Sequence, residues 1–167
     1  MTQSKLPEST CANSTTGGLV GVPSLLKELI DEMAGLCDVS LRQEILIEYG
    51  NSFKDVPESI ARRPYPEINK IPACESDAYV FPVTRNDGRI DFYYAVENPQ
   101  GISAKALATI LSTTLSGQPL SEVANITEEV AYAIFGRDLS MGKGLGLSAM
   151  VRVTRDIAKE FILSSQG

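Results

Sequence analysis

Two runs of alternating aromatic and β-branched residues, Asp77–Arg85 and Arg89–Val96, face each other across Asp87-Gly88. No other stretch restricts the fold so tightly. Residues of this kind suit a pleated, half-buried surface, and Asp-Gly between two such runs is a strong short-range signal for a tight hairpin. Reading Asp87-Gly88 as a two-residue type I′ turn sets Val83 opposite Phe92, Phe81 opposite Tyr94 and Tyr79 opposite Val96. One face then carries a continuous aromatic and β-branched surface that needs a helical layer over it. Pro82 cannot donate to a ladder and so marks an edge strand. A ligand platform is a second reading of the stripe, but core packing accounts for it without a ligand.

Helical periodicity supplies the covering layers. Leu25, Leu26, Leu29, Ile30 and Met33 fall on one stripe between a cap at Ser24 and a stop at Gly35. Ser40-Leu41-Arg42-Gln43 matches a capping box, followed by a stripe of Leu41, Ile45, Leu46 and Tyr49 and a stop at Gly50. After a proline-rich loop, Ser103 is the expected cap of a helix burying Leu107, Ile110, Leu111 and Leu115. Two short helical pieces follow, and from about Leu145 a helical period runs to the C-terminus through Leu147, Met150, Val151, Ile157 and Phe161. Helices on both sides of a small antiparallel sheet containing the β-hairpin make an α+β domain over residues 23–167. Residues 1–22, rich in Ser, Thr and Gly without a periodic apolar face, read as a disordered tail containing Cys11. A transit peptide is the other reading of that tail. It is rich in Ser and Thr and poor in acid, but it holds no arginine and no amphipathic pattern.

Charge and composition remove several classes of function. The formal net charge of -6, with no Lys/Arg cluster, argues against nucleic-acid binding. No apolar run approaches the roughly 18 to 20 residues that span a bilayer, so no membrane partner is expected. With no charged-then-apolar leader either, a soluble, cytoplasmic protein is expected, with a plastid or other organelle left open. The chain contains no histidine, which excludes Cys-His and Ser-His-Asp catalysis and removes the commonest metal ligand. Cys11, Cys37 and Cys74 show neither a disulfide framework nor zinc spacing, so neither metal nor cofactor is expected. Cys37, at a helix junction, reads as structural.

The candidate working residue is Cys74. In Asn69-Lys70-Ile71-Pro72-Ala73-Cys74-Glu75-Ser76 a proline-bearing approach delivers one cysteine into the loop that enters the sheet. A thiol placed there is fixed in position yet reachable from outside. Inert packing is the bland alternative, since free cysteine often acts as a small apolar side chain. Further on, Ser140-Met141-Gly142-Lys143-Gly144-Leu145-Gly146-Leu147 invites a phosphate-loop reading, but it lacks G-x-x-x-x-G-K-[ST] and follows no strand. What remains is a basic residue, Lys143, at the start of a helix.

These residues, together with the hairpin, the helix from Ser103 and Gly146-Leu147-Ser148-Ala149-Met150, resemble the SufE family from about Ser40 to Phe161. The resemblance implies a SufE/NifU-like fold and a sulfur-acceptor protein of iron-sulfur cluster assembly. On that likeness Cys74 takes sulfane sulfur as a persulfide from a SufS-like cysteine desulfurase, stimulates the desulfurase, and passes sulfur to a cluster-assembly scaffold. The protein would be a persulfide-carrying accessory rather than a self-sufficient enzyme. Asn69, Glu75, Ser76 and Lys143 become candidate loop or partner contacts. Lys143 is also the candidate positive charge that would raise the thiolate fraction of Cys74. The loop is expected to tuck against apolar residues and extend when a desulfurase docks.

The family usually has Gly at Ala73, Ser-Gln-Val-Trp at Ser76-Asp77-Ala78-Tyr79, Arg at Lys143 and an aspartate-rich run at Glu97-Asn98-Pro99-Gln100. Loss of glycine stiffens the loop, since alanine tolerates positive φ poorly, and Lys in place of Arg loses the planar fork. Two other classes of function remain: a non-catalytic regulator that binds a desulfurase, and a thiol redox protein using Cys74.

Overall fold

The computed structural model describes residues 19–167, which form six α-helices and one two-stranded antiparallel sheet. In chain order these are α1 (Ser24–Ala34), α2 (Val39–Asn51), β1 (Ala78–Thr84), β2 (Ile90–Val96), α3 (Ile102–Leu115), α4 (Leu120–Val123), α5 (Glu129–Phe135) and α6 (Met141–Ser165). A 3-10 turn over Glu67–Asn69 precedes β1. The α+β class expected from the sequence is what the structure shows. Most of the expected tail, with Cys11, lies outside the described residues. Its last residues do not, and Leu19 and Val22 are buried in the main core.

The hairpin forms, but its register is one residue away from the expected one. Tyr79 pairs with Ala95, Phe81 with Tyr93 and Val83 with Asp91. The turn is the cause. Arg85 N–H donates to Arg89 O at 2.7 Å and Gly88 N–H to Arg85 O at 3.0 Å, which leaves Asn86, Asp87 and Gly88 as a three-residue loop. Gly88 alone in that loop has positive φ, at 82°, whereas a type I′ turn needs it at both central residues. Because side chains alternate, a slip of one residue sends the two aromatic stripes to opposite faces. Val80, Ile90, Phe92, Tyr94 and Val96 enter the main core, while Tyr79, Phe81 and Ala95 form a second cluster with Val56 and Tyr65.

That second cluster corrects the expectation of helices on both faces. Helix α3 packs on the inner face, where Tyr94 Oη lies 2.8 Å from Thr154 Oγ1 of α6. Burial pushes the Tyr94 phenol far above its ordinary pKa, so it stays a neutral hydrogen-bonding group. The outer face is covered by the loop between α2 and the 3-10 turn, whose Tyr65 ring stands 5.2 Å from Tyr79 and 5.4 Å from Phe81. Both sheet edges are occupied as well. Val56 N–H donates to Tyr94 O at 2.8 Å on the β2 edge, and Ile71 N–H donates to Ala78 O at 2.8 Å on the β1 edge. Pro82 stands in β1 opposite Phe92, whose own N–H points away from the ladder to Ser116 Oγ at 2.9 Å.

Helix boundaries differ from the expected ones for local reasons. Helix α1 follows Pro23 without a side-chain cap, so Ser24 lies inside it. Helix α2 is capped by Asp38, whose carboxylate accepts from Ser40 N–H at 2.8 Å and Leu41 N–H at 3.3 Å, so Ser40 is also inside. Gly101 rather than Ser103 caps α3. Ser140 caps α6 by accepting from Lys143 N–H at 3.4 Å, which starts that helix earlier than Leu145 and places Gly142, Lys143 and Gly144 in its first turns. Gly50 is no stop. It is buried inside α2, where a Cβ would come within 2.8 Å of the Ile102 carbonyl oxygen.

A Gly50→Ala substitution tests that close approach. Helix propensity alone favours alanine by roughly 0.8–1 kcal/mol, yet the forced separation of α2 and α3 is expected to reverse the sign and cost about 1–3 kcal/mol. Chemical denaturation of the two proteins measures the difference.

Candidate functional site

The segment before β1 folds into a closed loop over residues 72–77, with Cys74 at its middle. Its ends are clasped by the Ile71–Ala78 hydrogen bond and by an antiparallel bridge between Lys70 and Tyr79, which adds a rung to the outer edge of β1. Asn69 belongs to this clasp: its side-chain amide donates to Val80 O at 2.9 Å. Lys70 Nζ lies 3.1 Å from Asp77 Oδ1 across the neck of the loop. The exit of β2 holds the other side, where Asn98 N–H donates to Ser76 O and Glu97 N–H to Asp77 O, each at 3.1 Å. Inside the loop, Asp77 N–H donates to Cys74 O at 3.2 Å.

Two residues bend the backbone through the left-handed region to achieve this. Ala73 has φ 59° and Asp77 has φ 48°. For residues with a Cβ that conformation costs roughly 1–2 kcal/mol each, somewhat less for Asp, whose short polar side chain suits it better. The surrounding hydrogen bonds and packing must offset that cost.

Cys74 is half-buried and packs against the main core. It borders a cleft of about 250 Å³ whose floor and walls come from three places. The loop gives Cys74, Glu75 and Ser76; the turn after β2 and the start of α3 give Asn98, Gln100 and Gly101 through Ala104; and α6 gives Gly142, Lys143, Gly146 and Leu147. Four of the residues singled out in the sequence, Cys74, Glu75, Ser76 and Lys143, therefore share one cleft. Asn69 does not line it and serves the strand edge instead.

The thiol is electrostatically quiet. Burial, the largest effect, raises its pKa above the ordinary cysteine value, and the carboxylates of Asp77 and Glu75 push the same way. The backbone N–H groups of Ser76 and Ala78 oppose them by hydrogen-bonding the sulfur. Lys143 borders the same cleft with an exposed side chain, and the net direction of the thiol's shift is up. Cys74 is the free cysteine among the described residues. Cys37 lies exposed between α1 and α2. Among the described residues no group of three Cys, Asp or Glu could hold a metal ion, and no helix is long and apolar enough to cross a membrane.

The sequence reading missed the glycines that admit the loop. Gly146 meets Cys74 backbone to backbone, Gly142 meets Glu75 and Gly101 meets Ser76. The spacing of Gly142 and Gly146, one helical turn apart, was the available signal, but only a helix that starts at Met141 puts them on one face.

Three comparisons bear on this site. A family model described as "SufE: Fe-S metabolism associated domain" matches residues 27–158. An uncharacterized SufE-like protein from Rhizobium etli is 30% identical over 139 residues, covering 80% of this chain and 89% of that one. A solution structure of a hypothetical protein from Thermus thermophilus superposes with a TM-score of 0.64 at 21% identity, covering 85% of this chain and 98% of the other, a likeness of fold.

The thiol's raised pKa has a measurable sign. Alkylation of Cys74 by iodoacetamide is expected to titrate with a midpoint above that of a cysteine in an unstructured peptide, and to fall to the peptide value in denaturant. Because the folded pKa is the higher one, the linked stability is full below the unfolded pKa and is lost as pH rises through the folded pKa.

Proposed function

The chain belongs to the SufE family, described as an Fe-S metabolism associated domain, and on that premise we propose that it is a sulfur acceptor in which Cys74 carries a persulfide. The family assignment supports a role in iron-sulfur cluster assembly. The observation that carries the finer reading is the loop itself: a free thiol, half-buried, at the middle of a clasped loop that opens onto a cleft between two helix N-termini. Soluble or cytoplasmic placement, a cysteine desulfurase as donor and a cluster scaffold as recipient belong to the same proposal.

The transfer is a thiol exchange. The Cys74 thiolate attacks the terminal sulfur of a donor cysteine persulfide, the donor's S–S bond breaks, and the donor cysteine leaves as thiolate while a new S–S bond forms on Cys74. No electrons are gained or lost overall, and the proton released from the Cys74 thiol is available to the departing sulfur or to solvent. Free cysteine has a pKa of about 8.5 and Cys74 lies above its ordinary value, so the seated thiol is a weak nucleophile near neutral pH. Extending the loop would remove burial, the largest cause of that shift. Docking would then supply alignment and activation in one step. In the seated form the same burial would shelter a carried sulfur from reductants.

Half-burial and a raised pKa also weigh against a peroxide-sensing thiol, since sensor cysteines are low-pKa and accessible. Asn69, Glu75, Ser76 and Lys143 keep their proposed places as loop or partner contacts, Asn69 through the strand edge and Lys143 as an exposed cation beside the thiol's cleft.

Intact-mass spectrometry after incubation with a cysteine desulfurase and cysteine tests the proposal. The expected product gains the mass of one sulfur atom, mapped to Cys74 and removed by a thiol reductant, and Cys74→Ser neither gains it nor stimulates the desulfurase. Full stimulation by Cys74→Ser would instead identify a regulator that carries no sulfur.

A further inference from the structure

Three consecutive residues of the cysteine loop rest on three glycines. A Cβ on Gly146 would lie 3.1 Å from Ala73 O and 3.2 Å from Cys74 Cα; one on Gly142 would lie 2.6 Å from Glu75 Oε1; one on Gly101 would lie 2.6 Å from Ser76 Oγ. These contacts differ in kind. The Glu75 carboxylate is the far end of a flexible side chain and can swing away, whereas the atoms facing Gly146 are loop backbone and can yield only if the loop moves. Against this seat stand Ala73 and Asp77, the residues of the loop held in the left-handed region, at φ 59° and 48°.

We infer that Gly146 is a positioning residue for Cys74: its bare face seats a strained loop, and the balance between seat and strain sets how readily the thiol leaves the cleft. This rests on the proposed sulfur-acceptor role for its purpose, but not for its test. Backbone strain of this kind lowers the cost of opening, because an extended loop no longer requires positive φ at Ala73. Close seating raises it, because opening gives up the contact with α6. A loop poised in this way can be released by a partner that contributes only modest binding energy, and it returns when the partner leaves. The charged groups around the thiol are Glu75 and Asp77 on its own loop and Lys143 on α6, while the cleft wall from α3 contributes Gly101, Ile102, Ser103 and Ala104, which do not titrate.

Two substitutions pull the balance in opposite directions. Gly146→Ala adds a methyl against the loop backbone while improving helix propensity, so α6 itself is not weakened. Its Cys74 alkylation rate near neutral pH is expected to rise about three- to tenfold, with the midpoint of the pH profile moving down toward the ordinary cysteine value. Ala73→Gly relieves the strained position, and glycine is favoured where φ is positive. Its alkylation is expected to slow by a similar factor, with the midpoint moving up. Circular dichroism and thermal melting check that both variants are folded, and if Gly146→Ala does not fold, Ala73→Gly decides alone. An unchanged rate and profile in folded Gly146→Ala, or faster alkylation in Ala73→Gly, overturns the inference. Persulfide loading by a desulfurase separates the two ideas: normal loading with unaltered alkylation sinks the seat alone, while altered alkylation with no loading in any variant sinks the sulfur-acceptor role alone.

Discussion

At Gly146 the polypeptide of the cysteine loop touches the polypeptide of α6 with no side chain between them, and the geometry of the site follows from that contact. A loop lying this close to a helix cannot be placed by flexible side chains. It must be placed by the elements that carry it. The Ile71–Ala78 hydrogen bond and the Lys70–Tyr79 bridge fix the loop to β1. The buried pair of Tyr94 and Thr154 ties β2 to α6 at 2.8 Å. Helix α3 then packs on β2 and brings Gly101 against Ser76. The sheet, though only two strands wide, is the common reference for every wall of the cleft.

This construction explains why the thiol can be quiet without being sealed. Burial against the main core and the neighbouring carboxylates hold a proton on the sulfur, while the Ser76 and Ala78 N–H groups remain aimed at it. Those donors would favour a charged sulfur if burial were relieved, because N–H groups stabilise an anion more than a neutral thiol. No histidine is needed, in keeping with a chain that has none.

Much of this was legible in the sequence, and the misses have a common cause. Amphipathic stripes such as Leu26, Ile30 and Met33 in α1, or Leu107, Ile110 and Leu111 in α3, announce buried faces because the period is local. The hairpin announced itself too, but its register depended on whether Asn86 belonged to strand or turn, and one residue exchanges the faces of Tyr79 and Tyr94. Ser40 looked like a cap because Asp38, the actual one, sits just two residues earlier and presents an equally suitable side chain. Gly50, Gly101, Gly142 and Gly146 carry no local signal that separates a helix stop from a point of close approach. Their partners are Ile102, Ser76, Glu75 and Cys74, all distant in the chain, and only the assembled fold brings them together.

Ala73 shows how a local rule can be broken in the loop that carries Cys74. Glycine would take φ 59° without penalty, and the resemblance to SufE proteins leads one to expect glycine there. Alanine accepts the conformation only because both ends of the loop are clasped and its carbonyl is held near Gly146. The same substitution would stiffen an opened loop, since alanine has fewer accessible backbone states than glycine. Raised strain when seated and reduced freedom when extended act in opposite senses on the equilibrium. Where φ is positive the strain outweighs the entropy, so in a loop poised as we infer, alanine at position 73 would bias it toward release rather than toward its seat.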